Sequence, residues 1–247
     1  MSDTLVVNEV YLSLQGESTF AGLPCVFVRL TACNLRCSYC DTAYAFTEGH
    51  KQGLDTILGE VQKLAVPFSN SKSQIPDLKL PLVELTGGEP LLQPNALPLM
   101  KALCDDGFTV LIETSGAHDI SKIDFRVRRI MDLKCPSSGE VERNRLENIP
   151  HLRTTDEVKF VIGTQEDYDW AKEQIAKHKL ASVCPLLFSW VQPLSPDQQH
   201  PSLKKVPAGQ TPLTRRELAE KIIADALPVR FQLQMHKFVW PQEQRGV

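Results

Sequence analysis

Leu54, Ile57, Leu58, Val61 and Leu64 recur at intervals of three and four residues, which predicts a helix over 54–64 with one apolar stripe. Similar patterning predicts helices over 95–105, 165–178 and 214–226. Between them lie short runs rich in Val, Leu, Ile and Phe, at 25–30, 82–86, 108–113, 129–133, 157–162 and 186–191. Each predicts a strand. Several (Val26-Phe27-Val28, Val110-Leu111-Ile112) lack strict alternation, as expected when both faces are covered. Strands and helices in turn imply parallel pairing with crossover helices. From Val229 the pattern changes: Val229, Phe231, Leu233 and Met235 alternate with Arg230, Gln232, Gln234 and His236, predicting a final strand with one apolar and one polar face, which on periodicity alone reads as a solvent-facing edge. Two stretches read as inserted loops within a single domain spanning 1–247: residues 67–81, rich in Ser, Pro, Asn and Lys, and residues 195–212, with four prolines.

Composition narrows the class. A chain of 247 residues, 42% hydrophobic and 23% charged, suits one α/β unit with a sizeable core. The net charge of −3 leaves no basic footprint for nucleic acid. No apolar run approaches the roughly 18 residues of a membrane span. Met1-Ser2-Asp3-Thr4 lacks the basic and apolar regions of a signal peptide. The odd count of seven cysteines argues against a disulfide framework, and together these features point to the cytoplasm.

Chemistry concentrates in Cys33-Asn34-Leu35-Arg36-Cys37-Ser38-Tyr39-Cys40. A short loop with this spacing can wrap three thiolates around one face of an iron–sulfur cube, leaving one iron without a protein ligand and open for chemistry. Zinc or redox pairing is the competing reading, but no second C-x2-C or H-x3-H pair completes a zinc site. Cys25, Cys104, Cys135 and Cys184 read as small buried apolar residues, Cys135 less clearly because it follows a polar motif.

In a parallel α/β fold, ligands gather at the carboxyl ends of the strands. The polar and glycine-rich segments fall there: the cysteine loop, Thr86-Gly87-Gly88-Glu89-Pro90, Glu113-Thr114-Ser115-Gly116, Asp132-Leu133-Lys134 and Gln192-Pro193-Leu194-Ser195. The two glycines allow close backbone approach to a ligand, and Glu89 offers a carboxylate to an amine. A tight βα turn is the alternative. On strand 25–30, Cys25, Phe27 and Arg29 share a face. A buried Arg29 requires an anionic partner, either a ligand carboxylate or a protein one. Lys159 is open to the same two readings.

With Cys33, Cys37, Tyr39, Cys40 and Gly87-Gly88-Glu89-Pro90, the chain resembles the radical S-adenosylmethionine superfamily. The resemblance implies a partial (βα)6 barrel, open on one side, with shortened or modified helices. It implies a [4Fe–4S] cluster on Cys33, Cys37 and Cys40, whose open iron binds S-adenosylmethionine. Tyr39 would sit against adenine and the glycine–glutamate turn would hold the methionyl amine. A 5′-deoxyadenosyl radical then takes a hydrogen atom from the substrate.

The opening Asn8-Glu9-Val10-Tyr11-Leu12-Ser13-Leu14-Gln15-Gly16-Glu17, the run Gly22-Leu23-Pro24-Cys25-Val26-Phe27-Val28-Arg29-Leu30 and the pair Asp41-Thr42 narrow this to a resemblance to the 7-carboxy-7-deazaguanine synthase family. That family implies a carbon–nitrogen lyase that contracts a 6-carboxytetrahydropterin in deazapurine (queuosine) biosynthesis. It also implies Mg2+, a homodimer and a flavodoxin- or ferredoxin-type reductant. By matching position, S-adenosylmethionine contacts carry over to Tyr39, Cys40, Asp41, Gly87, Gly88, Glu89, Ser115, Asp132, Leu133, Lys134, Gln192, Pro193, Leu194 and Ser195, with Thr114 beside them. Substrate contacts carry over to Leu14, Gln15, Gly16, Glu17, Arg29, Thr86, His236 and Val247, and the Mg2+ ligand to Thr42, otherwise readable as a helix cap. The remaining histidines, His50, His118, His151, His178 and His200, read as surface or loop residues. Ala32 and Ser18 stand where the family usually has glycine, and a modest backbone adjustment is expected. An activating enzyme for a glycyl-radical protein and a cluster-bearing electron carrier or iron sensor remain alternatives.

Overall fold

In a computed structural model, which describes residues 3–69, 75, 77–241 and 244–247, the chain forms one nine-stranded mixed sheet with helices packed against it. In chain order the elements are β1 (Thr4–Leu14), β2 (Pro24–Leu30), β3 (His50–Gly53), α1 (Leu54–Ala65), β4 (Leu82–Gly87), α2 (Ala96–Asp105), β5 (Val110–Thr114), β6 (Arg128–Asp132), β7 (Glu157–Ile162), α3 (Gln165–Lys177), β8 (Leu186–Trp190), α4 (Arg215–Ala224), β9 (Arg230–Gln232) and α5 (His236–Val239). The sheet order is β3-β1-β2-β4-β5-β6-β7-β8-β9. From β2 through β9 neighbouring strands are parallel, while β1 and β3 add an antiparallel edge.

All six strands and four helices expected from patterning form, with ends shifted by at most two residues. No α-helix connects β5 to β6, where turns and irregular chain serve, or β6 to β7, where three short 3-10 segments do. The tail departs from expectation. Only Arg230–Gln232 pairs as a strand, with Phe231 exposed, and the chain then turns into α5, so His236 sits at a helix start. What pairs is a solvent-facing edge, as the periodicity reads, and the rest of the alternation does not extend the strand. Of the expected loop 67–81, residues 70–74 and 76 lie outside the described residues. Residues 195–212 are more than a passive connection: the Lys204 main-chain N–H donates to the Arg36 carbonyl inside the cysteine loop.

The sheet faces explain the broken alternation. Val26, Val28, Leu30, Val83, Leu85, Val158, Phe160 and Phe188 turn to the helix side and pack with Ile57, Val61, Leu99, Leu103, Ala171 and Leu218 in the main core. On the opposite face Cys25, Phe27, Leu82, Leu111 and Ile130 form a second, smaller apolar layer with Phe20 and Leu78. Two residues further along the same rows stand Arg29, Glu84, Glu113 and Asp132, by the two-residue strand period. That face is thus apolar at the strands' amino ends and polar at their carboxyl ends. Among the described residues no helix is long and apolar enough to cross a membrane.

Ala32 and Ser18 keep a left-handed backbone, φ 80° and 63°, instead of relaxing to an ordinary one. The Gln232 side chain brackets Ser18, accepting from its N–H at 3.2 Å and donating to its carbonyl at 2.7 Å. Ala32 is held by main-chain bonds to Ala45 and from Glu89. A side chain in this region costs about 1–2 kcal/mol that glycine does not incur. Ala32→Gly is therefore expected to stabilise the apo-protein by roughly 1 kcal/mol in urea unfolding. An unchanged or lower midpoint would show that the surrounding bonds have removed the strain.

Candidate functional site

A cavity of about 640 Å³ opens at the carboxyl ends of the strands. Cys33, Cys37 and Cys40 lie on its wall as free thiols. Their loop is tied down at several points. The Arg36 guanidinium donates to the Cys33 and Leu35 carbonyls and lies 4.1 Å from the Phe46 ring centre. The Arg36 N–H donates to Glu140, and Ser38 bonds Ser137 and Ser138. Burial pushes the Cys37 thiol up to about 11 and the Cys40 thiol up to about 12, and raises Cys33. Such thiols ionise readily only beside a strong positive charge, which a bound metal provides. No fourth cysteine reaches the cavity wall. Among the described residues no three His, Cys, Asp or Glu side chains are grouped to hold a single metal ion. A cube presents three separate irons, so it requires thiols facing a shared space, and this arrangement fits it.

The glycine turn supports that loop. Gly87 has φ +140°, and a Cβ there would lie 2.2 Å from the Leu30 carbonyl oxygen. A Cβ on Gly88 would lie 2.1 Å from the Ala32 oxygen. The bare backbone lets Gly88 N–H donate to Leu30 and Glu89 N–H to Ala32, joining the end of β4 to the cysteine loop. Glu89 itself departs from expectation. It is fully buried and absent from the cavity wall, and its oxygens accept from Leu91 N, Thr114 Oγ1, Ser115 N and Ser115 Oγ. It braces the turn from within the protein.

The cavity floor is charged. Lys159 Nζ donates to Glu113 and, at 3.1 Å, to Glu17, with Asp132 at 3.9 Å. Burial opposes the Lys159 charge, but these carboxylates hold its value well above the usual lysine range. Burial likewise opposes ionisation of Glu17, yet Lys159 and His236 keep it below the ordinary carboxylate value. Gln15 and Glu84, both buried, complete the floor, Gln15 Nε2 donating to Glu84 Oε2 at 2.5 Å. Lys134 pairs with Asp132 at 2.7 Å. Two buried polar atoms on this wall, Tyr39 OH and Asp132 Oδ1, have no hydrogen-bond partner in the protein. Buried groups left in that condition mark where a ligand's polar atoms belong.

Arg29 already has a protein carboxylate: its Nε donates to Glu9 at 2.7 Å and its NH2 to Tyr11 OH at 2.7 Å. Tyr44 OH also donates to Glu9, and Arg245 lies 3.9 Å from the Tyr44 ring centre while pairing with Glu48 at 2.6 Å. Thr42 Oγ1 donates to Asp41 Oδ1 at 2.9 Å, and Lys237 pairs with Asp41 at 2.6 Å.

The cavity thus brings together Leu14, Gln15, Gly16, Glu17, Arg29, Cys33, Cys37, Tyr39, Cys40, Asp41, Thr42, Thr86, Gly87, Gly88, Ser115, Asp132, Lys134, Gln192, His236 and Val247. Leu133, Pro193, Leu194 and Ser195, expected beside a cofactor, are not on its wall. Leu133 is fully buried in the main core, Pro193 lines a separate shallow depression with Trp190 and Phe238, and Ser195 bonds Gln198. His200, expected to be an ordinary loop residue, does line the cavity, edge-on to Phe46. Patterning gave Glu84 no role and placed Glu113 only within a polar segment at a strand's end. Their signal is a lone carboxylate inside an apolar run, Val83-Glu84-Leu85 and Ile112-Glu113.

The chain is 43% identical over 248 residues to 7-carboxy-7-deazaguanine synthase of Koribacter versatilis, covering 98% of this chain and 99% of that protein. It is 39% identical to the Chlorobaculum tepidum protein of the same name, covering 98% and 97%. The chain belongs to the 7-carboxy-7-deazaguanine synthase family. No family model matches the chain. Among solved structures, QueE from Escherichia coli superposes with a TM-score of 0.64 at 21% identity, over 94% of this chain and 95% of that one, which shows the shared fold. As a 7-carboxy-7-deazaguanine synthase family member the protein is an enzyme of the radical S-adenosylmethionine class.

Glu84 gives this family member a pH signature. Burial first, then the Glu113 charge, pushes its carboxyl up to about 8. A raised value means the folded chain holds the proton more tightly than the unfolded one. The resulting stability is fully present below the ordinary carboxylate range and is lost as pH rises through about 8. Glu84→Gln removes this dependence. Thermal melts between about pH 5 and about pH 9 should show the native protein losing ground to Glu84→Gln as pH rises. A constant gap across that range would contradict the assignment.

Proposed function

We propose that this protein converts 6-carboxy-5,6,7,8-tetrahydropterin to 7-carboxy-7-deazaguanine with loss of ammonia, in deazapurine (queuosine) biosynthesis. The observation that carries the reading is one cavity wall that holds three thiols without a fourth, opposite a floor of Glu17, Glu84, Glu113 and Lys159. In this reading the sheet is a partial (βα)6 barrel, open on one side, with 229–247 closing the site. The protein acts in the cytoplasm as a homodimer and draws electrons from a flavodoxin- or ferredoxin-type partner.

Cys33, Cys37 and Cys40 would hold the [4Fe–4S] cluster. Bound there, the cluster supplies the electron that cleaves S-adenosylmethionine and starts radical chemistry on the pterin. The chain's own residues bind, orient and hold protons. Tyr39 OH and Asp132 Oδ1 offer their unpartnered atoms to S-adenosylmethionine, beside Ser115, Lys134 and Gln192. Gly88 leaves the wall bare where a methyl would collide with the cysteine loop. Glu17 accepts ring N–H groups of the pterin, and Lys159, protonated at Nζ, keeps Glu17 ionised. Two of the five Arg29 N–H groups go to Glu9 and Tyr11, and the pterin carboxylate joins as the second anion. For Mg2+, the Thr42 hydroxyl would turn its lone pairs outward, with substrate oxygens and water completing the shell. His236 and Val247 adjoin the pterin from the tail side.

Anaerobic turnover with the carboxytetrahydropterin should give a product lighter by the mass of ammonia, stimulated by Mg2+. Replacing any one of the three loop cysteines with Ala should abolish both product and reconstituted cluster absorbance. Full activity in any of these variants would remove the proposal. Arg29→Ala should raise the pterin KM by about tenfold or more while substrate-free cleavage of S-adenosylmethionine stays near the native rate. Equal loss of both would assign Arg29 to the Glu9 ion pair alone.

A further inference from the structure

We infer that Glu84 is a positioning residue, which fixes the Gln15-Gly16-Glu17 turn through the Gln15 amide and so sets where Glu17 and His236 stand. The inference rests on the pterin reading of this pocket and extends it to a buried residue of the cavity floor.

The amide of Gln15 is committed at both ends. Its oxygen accepts the Glu17 N–H at 2.5 Å and its nitrogen donates to Glu84 Oε2 at 2.5 Å. The orientation is not arbitrary: a main-chain N–H only donates, so the amide oxygen must face Glu17 and the nitrogen must face Glu84. Main-chain bonds from Gln15 N–H to Leu23 and from Gly22 N–H to Gln15 close the back of the turn. Gln15 is 3% exposed, and both ends of its side-chain amide are taken up within the protein.

The turn is itself a docking edge. Glu17 accepts from Gln234 at 2.9 Å and from Lys159 at 3.1 Å. The Gly16 carbonyl accepts the Met235 N–H, and a Cβ on Gly16 would lie 3.0 Å from His236 Nδ1. A shift of Gln15 therefore moves Glu17 and the tail together. Glu84 sits at the root of this chain of contacts, 1% exposed, on the strand that ends in the glycine turn.

Its charge matters as well. Glu113 from β5, Glu17 from the turn, Lys159 from β7, Tyr11 from β1 and Cys25 from β2 are the titratable groups around it. Burial keeps Glu84 protonated at neutral pH. As a neutral acid its carbonyl oxygen accepts from Gln15 without adding a third negative charge beside Glu17 and Glu113. An amide in its place presents the same acceptor, so Glu84→Gln should preserve the turn, whereas Glu84→Met should not.

The experiment uses anaerobically reconstituted holoenzyme and four variants: Glu84→Gln, Glu84→Met, Gln15→Leu and the Glu84→Met/Gln15→Leu pair. Glu84→Met and Gln15→Leu should each raise the pterin KM by about tenfold, with iron content and S-adenosylmethionine affinity unchanged. The pair should be no worse than the weaker single variant, because both cut one connection. Glu84→Gln should keep KM within about threefold of native and abolish its rise above about pH 8. Additive losses in the pair, an unchanged KM in Glu84→Met, or a Glu84→Gln as impaired as Glu84→Met would each overturn the inference. Should Glu84→Met not fold, the Glu84→Gln pH profile decides alone. Native enzyme that fails to bind or turn over the pterin would instead defeat the functional proposal.

Discussion

No side chain fits between the end of β4 and the start of the cysteine loop, and the site depends on that closeness. Two main-chain bonds, from Gly88 to Leu30 and from Glu89 to Ala32, cross a gap in which a Cβ would come within about 2 Å of a carbonyl oxygen. The consequence is rigidity where rigidity is needed. Cys33 begins one residue after Ala32, so its thiol inherits the position of the sheet. Buried Glu89 then locks the far side of the turn to Thr114 and Ser115 on β5. Three strands thus agree on where the loop starts.

The floor of the cavity follows a second constraint, that buried charge must be balanced locally. Lys159 answers Glu17, Glu113 and Asp132, while Lys134 takes most of Asp132. Glu84 is the acid left over, and it meets the requirement by keeping its proton. Arg29 is balanced in advance by Glu9, which suits a residue that must stay ordered before a ligand carboxylate arrives.

Much of this was legible in residue pattern alone. Buried strands with apolar runs declare themselves, and so do helices with one apolar stripe. Strand β1 did not, because most of it is only partly buried and it reads as a motif. Strand β3, His50-Lys51-Gln52-Gly53, has no apolar pattern at all and exists because it pairs with β1. Alternation in the tail read as a solvent-facing edge strand, and β9 is one, although only three of its residues pair. For the site, spacing identified the three thiols and the glycines correctly as neighbours. It could not give side-chain direction, so the hydrogen bonds of Glu89 to Thr114 and Ser115 were not foreseen. Likewise the sequence left the anion beside Arg29 open between ligand and protein, and the pairing with Glu9 required the antiparallel register of β1 and β2.

The pocket wall joins residues very far apart along the chain. Glu17 bonds Gln234 across 217 positions, Ser18 meets Gln232 across 214, and Arg245 reaches Glu48 across 197. Closing loops of that length costs entropy that nearby strand pairings do not incur. The sheet can therefore condense from local βα units while the ligand chamber is still open, and the chamber's rim is the last part to assemble.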